Sequence, residues 1–138
     1  MPWLLDTNAW IHYLKNASSP MAERLRRCVP SEILVCAVVR AELLHGAMKY
    51  GVPERRLAIV AETLAPYAAL PFDDLAAEHY ARLRHTLEKA GNIIGPHDML
   101  IAAICVARGC TLVTSNTREF ARVPGLVIED WLMPASET

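Results

Sequence analysis

The hydrophobic and polar positions of this chain follow two alternating patterns: short continuous apolar runs, and longer runs with helical spacing. Four apolar runs predict buried strands, over residues 3–6, 32–37, 110–114 and 126–130. Helices are predicted over residues 7–15, 19–28, 38–50, 53–70, 73–91 and 96–109, with a short helical turn at 117–123. Because strands alternate with helices, we expect an α/β domain whose mostly parallel sheet is covered by helices on both faces.

The two longest predicted helices are separated at Leu70–Pro71. A proline and the residue before it both disfavour helical backbone, so a break is expected there. Asp73 or Asp74 is then available to cap the second of these helices.

Size and composition predict one compact domain. The chain has 138 residues, of which 53% are apolar and 21% charged, a balance typical of a folded soluble protein. We expect residues 1–133 to form the domain and residues 134–138 a loose tail. No apolar run is long enough to span a membrane, and the N-terminus lacks the basic start of a signal peptide, so a cytoplasmic protein is expected.

Charge and cysteine content narrow the possible chemistry. The four cysteines form no C-x-x-C pair, which argues against both a zinc site and a disulfide framework. Fourteen basic and fifteen acidic residues give a net charge of −1, so the whole molecule has no general attraction for nucleic acid. Any contact with nucleic acid must therefore come from a local basic patch.

Polar side chains gather where the predicted strands end. In parallel sheets the functional crevice lies beyond the carboxyl ends of the strands, and six polar residues are expected near that edge. They are Asp6, Glu42, Asp98, Ser115, Asn116 and Glu119.

Each of these residues also has a purely structural interpretation. Asp6 and Asn8 could cap the first helix, and Glu42 could be an ordinary solvated helix residue. Asp98 could complement a helix N-terminus, and the segment 115–119 could be another helix cap. However, the helix behind Asp98 is apolar on every side and must be buried, so its first turn is expected to open into an interior crevice.

Four stretches then carry a resemblance to a known family. LLDTN at the start, VVRAELLHGA in the middle, GPHDMLIAAICVARGCTLVTSNTREFARVPGL and the closing VIEDW together resemble the PIN-domain ribonucleases of the VapC toxin type. The resemblance covers nearly the whole chain, in the right order. It implies a PIN-like three-layer fold with a mostly parallel sheet of four to five strands.

The same resemblance implies roles for individual residues. Asp6, Glu42 and Asp98 correspond to the acidic metal-binding residues, and the later segment supplies Asn116 and Glu119 near the same site. That segment is SNTREF here, where many family members have an aspartate.

Carboxylates suit a metal-dependent nuclease because Mg²⁺ prefers oxygen ligands and is commonly held by one or two carboxylates together with substrate phosphate. We expect Mg²⁺, with Mn²⁺ as a substitute, bound by Asp6 and Asp98, while Glu42 binds the metal or orients a water molecule. Hydrogen bonds that fix the carboxylates are expected from Thr7, Ser115 and Asn116. Arg118, which lies beside these residues in the sequence, is a candidate phosphate contact.

For the whole protein, the resemblance implies an endoribonuclease toxin that cleaves structured RNA, such as tRNA or rRNA, and thereby inhibits translation and growth. It also implies a homodimer and a cognate VapB-like antitoxin. Two other classes remain open. A phosphoryl-transfer domain of the phosphatase type would normally have a second aspartate where Asn8 stands, and a receiver domain would need a lysine after CTLVT. A non-catalytic α/β binding module would use the acids only as caps.

Overall fold

The computed structural model describes residues 2–49 and 51–132. Its strands are β1 (Trp3–Leu5), β2 (Ile33–Cys36), β3 (Ala68–Leu70), β4 (Thr111–Val113) and β5 (Val127–Glu129). Its helices are α1 (Thr7–Lys15), α2 (Pro20–Arg27), α3 (Ala37–Lys49), α4 (Pro53–Leu64), α5 (Asp74–Lys89), α6 (Pro96–Arg108) and α7 (Thr117–Phe120), with a 3₁₀ turn at Pro30–Glu32. The tail predicted over residues 134–138 lies outside the described residues.

The five strands form one parallel sheet in the order β3-β2-β1-β4-β5. Helices flank this sheet, so the predicted α/β class with a mostly parallel sheet is confirmed. The register of the three strands at one side of the sheet matters most for function. Leu5 of β1 pairs with Val113 of β4, which pairs with Glu129 of β5. The next residues of these strands therefore lie side by side at the carboxyl edge.

The central helix is α6, which the sequence predicted to be buried. Residues Ile101 to Cys105 are at most 1% exposed, and α5 packs against the same helix. The helix ends in a Schellman motif, in which the N–H of Cys110 donates to the carbonyl of Cys105 and the N–H of Gly109 donates to that of Val106. Gly109 has φ +65°, a left-handed conformation that favours glycine. This cap redirects the chain into β4.

One predicted element is wrong. The helix expected over residues 53–70 ends at Leu64, and Ala68–Leu70 forms strand β3 instead. Pro66 explains the end of the helix, since its ring fixes φ and clashes with the preceding turn. Ala68 and Ala69 have little intrinsic strand preference, so β3 depends on its pairing with Leu34 and Val35 of β2.

The last strand is fastened to the rest of the domain by the side chain of Glu129. Its carboxylate accepts hydrogen bonds from the indole N–H groups of Trp3 and Trp131, at 3.0 and 3.2 Å. Arg24 of α2 donates a further hydrogen bond at 3.0 Å and stacks over the Trp131 ring. We call Trp3, Arg24, Glu129 and Trp131 the C-terminal clamp. Within the described residues, no helix has the length and hydropathy needed to cross a membrane.

Candidate active site

The site is built at the carboxyl edge of the sheet, beginning with Asp6. This residue follows β1 directly, and its side chain is 4% exposed. Its backbone N–H donates to the carbonyl of Val113, which ties it to the end of β4. Its Oδ1 accepts a hydrogen bond from the N–H of Ala9 at 2.9 Å, so Asp6 does cap α1 as the structural interpretation proposed.

The helix cap alone does not account for the environment of Asp6. Burial raises the pKa of its carboxyl group, while hydrogen bonds from the Thr114 hydroxyl and the Ala9 N–H oppose that rise. The negative charges of Glu42 and Asp130 raise the pKa further. Asp6 is therefore a cap that also belongs to a group of acids, and holding its charge there is costly.

Glu42 reaches this group from α3 and is fixed by two side chains. The hydroxyl of Thr7 donates to its Oε1 at 2.6 Å. The Nδ1 atom of His97 lies 3.3 Å from its Oε2. A solvated helix residue would have neither partner, so the site interpretation of Glu42 is favoured. Thr7, a predicted donor to the carboxylates, therefore lies against Glu42.

Asp98 lies in the first turn of α6, after Gly95 and Pro96 begin the helix. Burial raises the pKa of Asp98 to about 6, and the neighbouring charges of Glu119, Asp6 and Glu42 contribute to the rise. Among the hydrogen bonds of the described residues, none runs from a backbone N–H to this carboxyl group. Asp98 thus differs from a helix cap, which would be stabilised in its charged form.

Glu119 faces Asp98 from α7. The N–H of Gly95 donates to its Oε1 at 2.6 Å, and the side-chain amide of Asn116 donates to its Oε2 at 2.7 Å. These bonds hold the pKa of Glu119 below its ordinary value. The two carboxyl groups are close enough for Asp98 to donate its proton to Glu119. A proton on Asp98 or a bound cation would relieve the repulsion between these two carboxyl groups.

The donor set fits a hard divalent cation, although the side chains do not surround one as they stand. Throughout residues 2–49 and 51–132, no three His, Cys, Asp or Glu side chains are already arranged to hold a metal ion. Mg²⁺ does not need such an arrangement, because it retains several waters and is commonly held by one or two carboxylates and the substrate phosphate. Asp6 and Asp98 can supply these oxygens, and Glu42 lies beside them.

Two predicted contributors are present at the site without a visible contact to the acids. Ser115 and Arg118 are exposed, and no hydrogen bond or ion pair in the described part of the chain connects either one to a carboxylate. Their roles remain predictions. The positive charge of Arg122, by contrast, helps to lower the pKa of Glu119.

Sequence reasoning missed several groups that complete the site. Thr114 is 1% exposed; its hydroxyl donates to Asp6 and accepts from the N–H of Asn116 at 2.9 Å. Asp130 lies at the same edge, one residue beyond β5, and His97 contacts Glu42. The signal for Thr114 and Asp130 was available, since each ends a predicted strand with a polar residue at the same register as Asp6.

Comparison with known proteins agrees with this architecture. The family model described as PIN domain matches residues 3–126. The tRNA(fMet)-specific endonuclease VapC of Salmonella typhimurium is 37% identical over 131 residues, which cover 95% of this chain and 98% of that protein. Ribonuclease VapC2 of Haemophilus influenzae is 33% identical over 132 residues, which cover 96% and 99%.

Solved structures show the same similarity. DNA-bound VapBC from Salmonella typhimurium has a TM-score of 0.89 at 37% identity, covering 95% of this chain and 98% of that one. VapBC2 from Rickettsia felis, bound to a promoter DNA fragment, has a TM-score of 0.86 at 30% identity, covering 95% and 99%. Fold, ordered motifs and whole-length similarity agree, and this chain belongs to the PIN-domain family of VapC ribonucleases.

Proposed function

We propose that this protein is a metal-dependent endoribonuclease that acts as the toxin of a toxin–antitoxin pair. The observation that carries the catalytic part is that Asp98, Glu119 and Glu42 gather around the buried Asp6 closely enough for their charges to raise the pKa of Asp98. Carboxyl groups held this close destabilise a fold unless a proton or a cation lies between them. A divalent cation held by these carboxylates would offset their charge and could bind a phosphate oxygen of the substrate.

Asp6 and Asp98 are the residues proposed to hold Mg²⁺, with Mn²⁺ as a substitute and Glu42 binding the metal or orienting water. When bound, the ion supplies positive charge that offsets the charge of the phosphodiester and lowers the pKa of the attacking water. The protein's own side chains and backbone hold these carboxylates in place. Thr114 and the Ala9 N–H fix Asp6, and Thr7 fixes Glu42.

Glu119 has a supporting role in this proposal. Because Gly95 and Asn116 both donate to it, Glu119 keeps its charge and stays in place as the proton acceptor of Asp98. A cation held by Asp98 would stabilise the ionised form of its carboxyl group. Arg118 is the proposed contact for a flanking phosphate, since it is exposed on the same helix as Glu119.

The proposed substrate is structured RNA, either tRNA or rRNA, whose cleavage inhibits translation and growth. A relative from Salmonella typhimurium is named as a tRNA(fMet)-specific endonuclease, which favours tRNA. The net charge of −1 means that binding must rely on local cations and on the shape of the RNA rather than on a general attraction.

Purified protein incubated with total tRNA and total rRNA tests the activity. We expect defined fragments with Mg²⁺ or Mn²⁺, no fragments with EDTA, and none from Asp6→Asn under any condition. Sequencing the fragment ends identifies the RNA and the bond. Intact RNA in every sample, together with measurable RNA binding, would instead support the non-catalytic binding module.

The proposed partners are a VapB-like antitoxin and a second copy of the chain. The structural neighbours from Salmonella typhimurium and Rickettsia felis are VapBC complexes, which supports an antitoxin here. Expression of the protein alone is expected to arrest growth, and co-expression of its antitoxin or the substitution Asp6→Ala is expected to relieve the arrest. Equal toxicity of wild type and Asp6→Ala would mean that RNA cleavage is not the cause.

A further inference from the structure

Arg122 is an exposed cation that follows α7 and lies beside the acidic site. Its backbone N–H donates to the carbonyl of Glu119, which continues the turn of α7 by one residue. Its side chain reaches across to the segment before α6, where Nη1 donates to the carbonyl of Ile93 at 3.1 Å. One end of the guanidinium is therefore held in place while Arg122 as a whole faces the solvent.

The bond to Ile93 places the guanidinium next to the segment that borders the acids. Two residues further on, Gly95 donates its N–H to Glu119 at 2.6 Å. Gly95 also lines, together with Asp98, a small cavity of about 200 Å³ that Arg122 itself does not line. Arg122 and Glu119 thus hold the two ends of residues 93–95, and the positive charge lies at the margin of the site rather than among the acids.

The partner of Arg122 differs from those of the other arginines with a fixed side chain. Carboxylates pair with Arg24, Arg84 and Arg108. In the part of the chain that the structure describes, Arg122 forms no such ion pair and donates no other side-chain hydrogen bond. A backbone carbonyl carries no net charge, so it orients the guanidinium without cancelling its charge, and further N–H donors remain for a ligand.

The chemistry of this group favours a phosphate as its ligand. A guanidinium presents a planar fork of N–H donors that matches the oxygens of a phosphate and binds them by two parallel hydrogen bonds. A cation on Asp6 and Asp98 would contact the scissile phosphate, but the neighbouring phosphates of the RNA would still approach a group of acids. A fixed positive charge at the margin of that group offsets this repulsion.

We propose that the guanidinium of Arg122 binds a phosphate next to the scissile one, an inference that rests on the proposed ribonuclease function. The Ile93 carbonyl orients the fork, so this contact positions the RNA chain along the entrance of the site. Arg122 thereby adds a second phosphate contact to that proposed for Arg118, whose side chain has no fixed partner among the described residues.

The test removes the charge of single phosphates. It uses a short RNA that contains the mapped cleavage site, in which one phosphate near the cut, other than the scissile one, is replaced by an uncharged methylphosphonate on a 2′-O-methyl sugar. The control RNA has the same 2′-O-methyl sugar with an ordinary phosphate. For wild type we expect one position to lower kcat/KM about tenfold or more, the effect of one charged hydrogen bond.

Two variants determine whether Arg122 is the residue that binds this phosphate. Arg122→Gln removes the charge and keeps an amide that can donate to Ile93. We expect its kcat/KM on the control RNA to fall about tenfold or more, with no further loss on the methylphosphonate RNA. Arg26→Gln is the matched control, in the last turn of α2 where the chain runs toward the amino edge of the sheet, and should respond to the methylphosphonate as wild type does.

A binding measurement gives a second readout that does not depend on cleavage. Fluorescence anisotropy with the labelled control RNA, in Ca²⁺ instead of Mg²⁺, measures Kd as a function of salt concentration. One lost phosphate contact should make the slope of log Kd against log salt shallower by about 0.7 to 0.9. We expect this change for Arg122→Gln and not for Arg26→Gln.

Two results would overturn the inference. If Arg122→Gln loses as much activity on the methylphosphonate RNA as wild type does, and keeps the wild-type salt slope, Arg122 only positions residues 93–95 and Glu119. If no methylphosphonate affects wild type beyond its control RNA, no flanking phosphate is bound. Failure of the proposed function has a different signature, namely no cleavage of the unmodified RNA by wild type with Mg²⁺ or Mn²⁺, and the salt slopes then decide on Arg122 alone.

Discussion

Replacement of Asp98 by asparagine should stabilise the metal-free protein. The carboxyl group of Asp98 is partly buried among Glu119, Asp6 and Glu42, and its pKa is raised from 3.8 to about 6. A group with a raised acid pKa favours the folded state only while it is protonated. Its ionisation therefore lowers the stability of the fold as the pH rises from 3.8, the pKa of aspartate in the unfolded chain, through about 6.

The size of the effect follows from this shift. Roughly two pKa units correspond to about 3 kcal/mol, and solvent screening of a group that is only partly buried reduces the expected gain to about 1 kcal/mol. In a domain of this size that raises the melting temperature by about 3–5 °C. Asparagine keeps a donor for Glu119, so the contact survives while the repulsion is removed.

Thermal melts in EDTA measure the difference between wild type and Asp98→Asn. We expect the variant to melt higher near about pH 7.5 and the difference to vanish only below about pH 3, where Asp98 of the wild type is protonated in both the folded and the unfolded state. The pKa of Glu119 is lowered, so this residue stabilises the fold at high pH. Because Glu119 is present in both proteins, its contribution is left out of the difference between their melting temperatures. Asp74→Asn, in the exposed first turn of α5, is the control and should lose a few tenths of a kcal/mol.

Metal provides the second arm of the experiment. At about ten times its dissociation constant, Mg²⁺ should add about 1.4 kcal/mol to the stability of wild type. The response of Asp98→Asn should be smaller, because one ligand has lost its charge. The reasoning would be refuted if Asp98→Asn melted below wild type at neutral pH and the melting temperature of wild type did not respond to Mg²⁺ or Mn²⁺. Asp98 would then only stabilise the N-terminus of its helix by its charge.

Three further substitutions test a hydrogen bond to Asp6, the C-terminal clamp and the cap of α6. Thr114→Val removes the buried donor to Asp6 and should cost about 1–3 kcal/mol in urea unfolding, whereas a neutral result would mean that Asp6 finds another donor. Glu129→Gln weakens the C-terminal clamp at Arg24 and should cost about 1 kcal/mol, with a change in tryptophan emission that Glu88→Gln on α5 does not produce. Gly109→Ala should cost about 1 kcal/mol from its positive φ alone, because nothing lies near the added methyl group.

The sequence alone determined the strands and helices whose burial follows from a local pattern of apolar residues. The apolar run before Asp6 and the all-apolar pattern of α6 predict a strand and a buried helix, since each pattern matches the period of its own element. The order of strands and helices then predicts a parallel sheet, and such a sheet gathers its strand ends at one edge. For this reason Asp6, Asp98 and Glu119 could be expected together without knowledge of their distances.

Only the tertiary structure determined the contacts between residues that lie far apart in the sequence. Strand β3 exists because β2 pairs with it, and its alanines carry no pattern of their own. The contact of His97 with Glu42 spans 55 residues, and that of Gly95 with Glu119 spans 24. Hydrophobic periodicity specifies which face of an element is buried but not which side chain lies opposite it. The raised pKa of Asp98 depends on that packing, and so does the chemistry proposed for the site.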